Sequence, residues 1–213
     1  MIKYYPINLA LENKKCVVIG AGQVALRKAK RLLEYGAAVS VIGEEIVPQL
    51  RRLFERKRII FKNKRATLKD LEGAFLVVAA TDDRKINASI SAYCLKKNIL
   101  VNVVDFPKEC NFILPSVLRR GSLTISVSTD GVSPALAKKI RHDIQQSFGI
   151  EYTKLLHLLR KIRPEALKKI KNPRARNLFF QKIFQPQILD LLKQNKEQQA
   201  RKRIGDYLKN AQR

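Results

Sequence analysis

Short apolar runs alternating with stretches of helical period dominate the first hundred residues. Lys15-Cys16-Val17-Val18-Ile19 is too short for a helix and rich in β-branched residues, which predicts a strand. Gly20-Ala21-Gly22 ends it. Residues 24–35 then place Val24, Ala25, Leu32 and Leu33 at helical spacing, and Gly36 stands where a helix stop is expected. The same reading predicts strands over 38–42, 59–61, 75–80 and 99–104, with helices over 46–56 and 85–97. Strands that are apolar throughout, rather than alternating, are buried on both faces. A repeated β-α-β order of such strands predicts an α/β fold built on a doubly wound parallel sheet.

The pattern changes after Asp105. Residues 112–118 and 123–128 predict two strands joined by a turn at Arg119-Arg120-Gly121-Ser122. Ser133-Pro134 predicts a helix start, with the serine as cap and the proline where a missing N–H does no harm. From Tyr152 onward only helical periods occur, with Pro164, Pro173 and Pro186 each expected to start a helix. The chain thus divides into residues 1–111, a β-hairpin-plus-helix element over 112–149 and a helical C-terminal tail over 150–213.

Charge sharpens this picture. The 213 residues carry 43 Lys and Arg against 18 Asp and Glu, a net charge of +25. Residues 151–213 hold 17 of the basic and 5 of the acidic side chains, so positive charge is densest in the tail. A field of that sign attracts polyanions such as nucleic acid, anionic lipid or a polycarboxylate substrate. Cys16, Cys94 and Cys110 cannot all pair and match no zinc spacing, and His142 and His157 share no ligand spacing, so no metal site is expected. No apolar run approaches the ~18 residues of a membrane span. With no apolar leader behind Met1, the expected location is the cytoplasm.

Candidate chemistry clusters at strand ends. Gly20-Ala21-Gly22-Gln23-Val24-Ala25 is G-x-G-x-x-A between a predicted strand and helix. The first glycine suits a tight turn, the second lets a pyrophosphate reach backbone N–H groups, and the small Ala25 allows close packing. Gly20, Gly22, Gln23 and Val24 are therefore the candidate phosphate cradle at a helix N-terminus. Glu44 and Glu45 lie where an acid would take the adenosine ribose hydroxyls, and no arginine in that turn welcomes a 2′-phosphate, which favours NAD over NADP; the two acids could equally cap the next helix. Thr81 and Asp82 follow the fourth strand, with Asp82 and Asp83 also candidate helix caps. Asn102 and Asp105 stand at the tip of the fifth strand, where a buried Asp105 beside an apolar cofactor would suit a general base. Ser128 and Thr129 belong to a hydroxyl-rich loop before a helix, a candidate anion site or an ordinary cap. Lys28, Arg119, Arg120 and Lys138 are candidate carboxylate clamps.

Taken together, Tyr5-Pro6-Ile7, the run from Val18 to Lys28, Ala79-Ala80-Thr81-Asp82-Asp83, Asn102-Val103-Val104-Asp105-Phe106-Pro107, Phe112-Ile113-Leu114-Pro115-Ser116 and Ser133-Pro134-Ala135-Leu136-Ala137 resemble the precorrin-2 dehydrogenase family. This is the dehydrogenase and ferrochelatase part of sirohaem synthesis, related to the amino-terminal half of bacterial sirohaem synthases. The resemblance implies a Rossmann-type NAD-binding domain, a central element that builds a homodimer and a helical end. It also implies NAD-dependent oxidation of precorrin-2 to sirohydrochlorin, with ferrous iron a further substrate in some members. The residue matching Asp105 is the family's proposed catalytic acid–base group. Asp130 departs from the family, which usually has glycine there. Precorrin-2 resembles other uroporphyrinoids in carrying eight carboxylates, a partner that suits a basic cleft. Nucleic acid is not the expected partner under this reading. The alternative is a non-catalytic NAD-sensing module whose basic tail binds nucleic acid or protein.

Overall fold

The structure is a computed structural model that describes residues 3–211. The chain forms two compact units that divide between Leu114 and Pro115.

The first unit is a five-stranded sheet, every pairing parallel, in the order β3-β2-β1-β4-β5. Its strands are β1 (Lys15–Ile19), β2 (Ala38–Gly43), β3 (Ile60–Asn63), β4 (Leu76–Ala79) and β5 (Leu100–Val103). Helices α1 (Gln23–Glu34), α2 (Pro48–Glu55) and α3 (Arg84–Lys96) connect them, with a 3₁₀ turn at Leu68–Leu71 before β4. Successive residues of one strand feed different layers. Cys16, Val18, Val39, Val41, Leu76 and Val78 pack with Ala25, Leu26 and Ala29 of α1. Val17, Ile19, Val77, Ala79, Val101 and Val103 pack with Ile90 and Cys94 of α3. This two-sided burial is why the strands read as unbroken apolar runs. Burial also raises the pKa of the Cys16 and Cys94 thiols to about 11 each, keeping them neutral core residues.

The second unit begins with the antiparallel pair β6 (Ser116–Arg120) and β7 (Leu123–Val127), followed by α4 (Pro134–Ser147). Gly121 has φ +58° at the first of the two turn positions while Ser122 has no positive φ, the type II′ pattern that suits a twisted hairpin. Residues 112–114, expected within the first strand of this hairpin, belong instead to the first unit. There Phe112 packs on the sheet core and its carbonyl accepts a bond from the Asn102 side chain.

Helices α5 (Glu151–Lys169), α6 (Pro173–Ile183), α7 (Pro186–Lys193) and α8 (Glu197–Asn210) complete the second unit around Leu155, Phe179, Ile183, Ile188, Leu192 and Ile204. Pro173 and Pro186 occupy the first turn of their helices, as expected. Pro164 does not start a helix: it lies inside α5. The missing N–H frees only the carbonyl of exposed Arg160, while buried Leu155, Leu158 and Ala166 on both sides keep the helix packed. Among the described residues no helix is long and apolar enough to cross a membrane.

Candidate active site at the carboxyl edge of the sheet

In the sheet order the chain reverses direction of travel between β1 and β4, so a crevice opens above their carboxyl ends. Gly20 leaves β1 with φ +104°, and a Cβ there would lie 2.2 Å from the Ala80 carbonyl oxygen. The turn thus needs glycine for both its conformation and its contact. Gly22 differs: its φ is −83° and a Cβ would meet nothing within 4 Å. It caps α1 with no side-chain bond, and Gln23 beside it is exposed. The open space therefore sits at an uncapped helix N-terminus, which fits a phosphate group. Gly43, at the end of β2, lies outside the glycine motif. A Cβ on it would come within 2.9 Å of the Ala21 Cβ, so it too allows the glycine turn to close.

Across the crevice, Thr81 is fixed by Asn87 of α3. The Thr81 hydroxyl donates to Asn87 Oδ1 at 2.8 Å, and the Asn87 amide donates to the Thr81 carbonyl at 2.8 Å. The two candidate caps separate here. Asp83 accepts from the Lys85 and Ile86 N–H groups and caps α3, while Asp82 is exposed and borders the crevice. Hydrogen bonds to Asp83, first from the Ile86 N–H, hold its carboxyl below the usual range.

Asp105 stands two residues beyond β5 with φ +63°, a left-handed conformation that Asp tolerates better than most residues. It is exposed rather than buried as expected, because it lies in the turn past the strand end rather than in the sheet. Its turn rests on Cys110, whose thiol accepts from the Val103 N–H at 3.1 Å and lies 3.3 Å from the Phe106 carbonyl oxygen. Burial pushes that thiol's pKa up, so it remains a neutral donor and acceptor. Asn102 is buried, and its amide is engaged by the Phe112 carbonyl at 3.3 Å and the Lys28 amine at 3.4 Å. Burial and then the neighbouring Arg27 lower the pKa of Lys28, with Cys110 and Asp105 opposing. Val24, Thr81, Asp82, Asn87 and Asp105 line one hollow of about 250 Å³.

A wider hollow of about 530 Å³ lies at the ends of β2 and β3, lined by Glu44, Glu45, Arg51, Phe54, Phe61 and Asn63. The glutamates do not cap α2, whose N-cap is Val47 without a side-chain bond. Both remain exposed. Arg51 reaches the same hollow from the following helix, a proximity that reading the turn alone missed.

The remaining candidates fall in the second unit. There the Ser128 hydroxyl accepts from the Asp130 N–H at 3.1 Å, and Thr129 Oγ1 accepts from the Ser133 N–H at 3.1 Å. Ser133 caps α4 through the Leu136 N–H at 3.2 Å. These hydroxyls therefore knit their own turn, with Asp130 at φ +51°. Arg120 Nε donates to the Phe148 carbonyl at 3.1 Å and Arg119 Nε to the Gly121 carbonyl at 3.2 Å. Among the described residues no cluster of His, Cys, Asp and Glu could hold a metal ion.

A glycine turn pressed on β4, an uncapped α1 N-terminus, acids after β2 and a carboxylate beyond β5 define a dinucleotide-binding domain of Rossmann type. The family profile described as "Putative NAD(P)-binding" matches residues 7–116, "Sirohaem biosynthesis protein central" matches 120–147 and "Sirohaem synthase dimerisation region" matches 151–208. The chain belongs to this NAD(P)-binding family of sirohaem biosynthesis. It is 36% identical over 92% of its length to "Siroheme synthase" of Methylococcus capsulatus, and 32% identical over 93% to that of Nitrosococcus oceani. It spans 42% of the length of each of these relatives. A solved structure titled "SirC, precorrin-2 dehydrogenase" superposes with a TM-score of 0.78 at 26% identity, over 96% of this chain and 100% of that one.

Proposed function

We propose that this protein oxidises precorrin-2 to sirohydrochlorin with NAD. The observation that carries the reading is the shared hollow. Val24 at the start of the phosphate-binding helix and the Asp105 carboxylate beyond β5 face one space at the switch point. The likeness to siroheme synthases and to a precorrin-2 dehydrogenase supplies the substrate.

The cofactor fits the residues present. Gly20 and Gly22 shape the turn, the α1 N-terminus attracts the pyrophosphate, and Glu44 or Glu45 accepts the ribose hydroxyls. Two carboxylates against the single Arg51 in that hollow favour NAD over its 2′-phosphorylated form. Bound NAD supplies the hydride acceptor. Asp105 accepts the proton released as the substrate loses a hydride, so the macrocycle loses two electrons and two protons: one proton leaves with both electrons as the hydride, and the other passes to Asp105. Thr81, held by Asn87, orients the cofactor's far half, and Lys28 adds positive charge for a polycarboxylate substrate. Residues 115–211 build a homodimer in this reading, the enzyme works in the cytoplasm, and any ferrous iron is a substrate held by the macrocycle's own nitrogens.

An anaerobic assay tests the proposal. NAD-dependent formation of sirohydrochlorin by the wild type, reduced at least about 100-fold in Asp105→Ala, is expected for loss of a general base. Adding ferrous ion to the same cuvette tests chelation. A wild type that binds NAD but leaves precorrin-2 unchanged overturns the reading.

A further inference from the structure

We infer that Arg84 is a positioning residue for Asp105, gripping the turn that carries it. The inference rests on the dehydrogenase reading, which makes Asp105 the proton acceptor. Arg84 is the first residue of α3, the positive end of the helix dipole, where a cation is disfavoured. Two contacts offset that cost. Its guanidinium pairs with Glu109 through both terminal nitrogens, Nη1 donating to Oε2 at 2.6 Å. Its Cζ also lies 3.8 Å from the centre of the Phe106 ring.

One planar group thus touches both ends of the segment 106–109, directly after Asp105. Other bonds hold that segment as well, including the Cys110 thiol at the Phe106 carbonyl. The Glu109 N–H donates to the Phe106 carbonyl at 3.0 Å, and the Glu109 carbonyl accepts from Ser91 Oγ at 2.7 Å. Arg84, Asp105 and Phe106 border the same hollow. Asp105 has a left-handed backbone, which persists only where its surroundings over-determine it. The two-pronged grip on the next residues adds to the hold that Cys110 already provides. It also requires arginine: lysine has the charge but neither the fork nor the flat face. Glu109 is held below the usual carboxylate range by the Arg84 hydrogen bonds, so the grip is intact at neutral pH.

The test compares wild type, Arg84→Ala, Arg84→Lys, Glu109→Ala and the Arg84→Ala/Glu109→Ala pair, with Lys85→Ala as a control that removes a neighbouring charge. The expected result is a kcat lowered about 10-fold in both arginine variants, with KM for NAD within about 2-fold. The double variant should be no slower than Arg84→Ala alone, since both substitutions break one unit. Amide exchange at 106–110 in the substrate-free protein should quicken in Arg84→Ala and stay unchanged in Lys85→Ala. Full rescue by Arg84→Lys, or a rise in KM for precorrin-2 at unchanged kcat, would mean direct substrate contact and overturns the inference. So does unaltered amide exchange. A wild type without turnover overturns the dehydrogenase reading itself, and the exchange data then still tell whether Arg84 braces the turn.

Discussion

The two units use charge in opposite ways. Residues 1–114 contain 21 basic and 11 acidic side chains, whereas residues 115–213 contain 22 and 7. In the first unit the acids bind distant parts of the chain together. Asp70 holds Lys62 and Lys64, Asp83 holds Arg65, and Glu109 holds Arg84. In the second, Lys139–Asp143 and Lys169–Glu165 each pair one turn apart along a single helix, and Lys154–Glu197, at 4.0 Å, joins α5 to α8. Carboxylates therefore tie loops and strand ends together in one unit and pair mostly along single helices in the other. Two glycines of positive φ show a like contrast: Gly20 is pressed against the Ala80 backbone, while Gly131 at the turn before α4 has nothing within 4 Å of its Cβ position.

The largest effect that would sharpen this contrast comes from Gly20→Ala. The new Cβ would meet the Ala80 carbonyl oxygen at 2.2 Å at a φ of +104°, so a loss of about 3 kcal/mol or more, or failure to fold, is expected. Gly131→Ala in the second unit also faces a positive φ, +84°, but nothing lies within 4 Å of its Cβ. It should cost about 1 kcal/mol. Denaturant titrations of the two variants compare them, and equal losses would break the contrast.

Asp70→Asn should come next. The carboxylate is buried beneath the 3₁₀ turn, accepting from the Thr67 N–H at 3.0 Å, the Thr67 hydroxyl at 2.9 Å and both lysines. Burial pulls its pKa up, but hydrogen bonds from Lys64, Thr67 and Lys62 outweigh that and hold it far below the usual carboxylate range. A depressed folded-state pKa contributes stability that is full above the unfolded value near ~4 and is lost as pH falls through the folded one. The variant should be about 2 kcal/mol less stable at pH 7. The gap to wild type should narrow below about pH 4, as followed by urea melts across pH.

How much of this was legible beforehand follows the range of the interaction. The five parallel strands, α1 and the glycine turn rest on local runs and periods, and all five strands lie where the apolar runs predict them. Asn87, Gly43 and Arg51 escaped notice because their partners are set by strand order and helix placement rather than by neighbours in sequence. Pro164 misled for the converse reason. Its local preference for a helix start was overridden by the packing of Leu155, Leu158 and Ala166 on either side. The serines and threonines before α4 were legible only as a choice between anion site and cap, and hydrogen bonds within the turn occupy them.

Gly22→Ala separates binding from folding in the first unit. With φ at −83° and open space around its Cβ, alanine should leave the melting temperature unchanged. It should weaken NAD about 10-fold by filling the place where a phosphate meets the backbone, worth about 1.4 kcal/mol. Isothermal titration measures the binding. Tight binding by the variant would move the phosphate site away from this helix.

The smallest effect should come from Glu165→Gln on α5. Its partner Lys169 is one helical turn away, with both side chains about half exposed, 49% and 47%. Such a pair contributes no more than about 0.5 kcal/mol. Lys161, Arg163 and Lys168 stand on the same helix, so basic side chains outnumber acids around the pair. Added salt screens attraction and repulsion alike, and the more numerous like-charge pairs gain more from it. Raising NaCl from about 0.02 M, where the Debye length is ~20 Å, to about 0.5 M should therefore raise the melting temperature of wild type, and that of Glu165→Gln slightly more. A melting temperature that falls with salt would show that attractive pairs govern the helical unit as they govern the crevice.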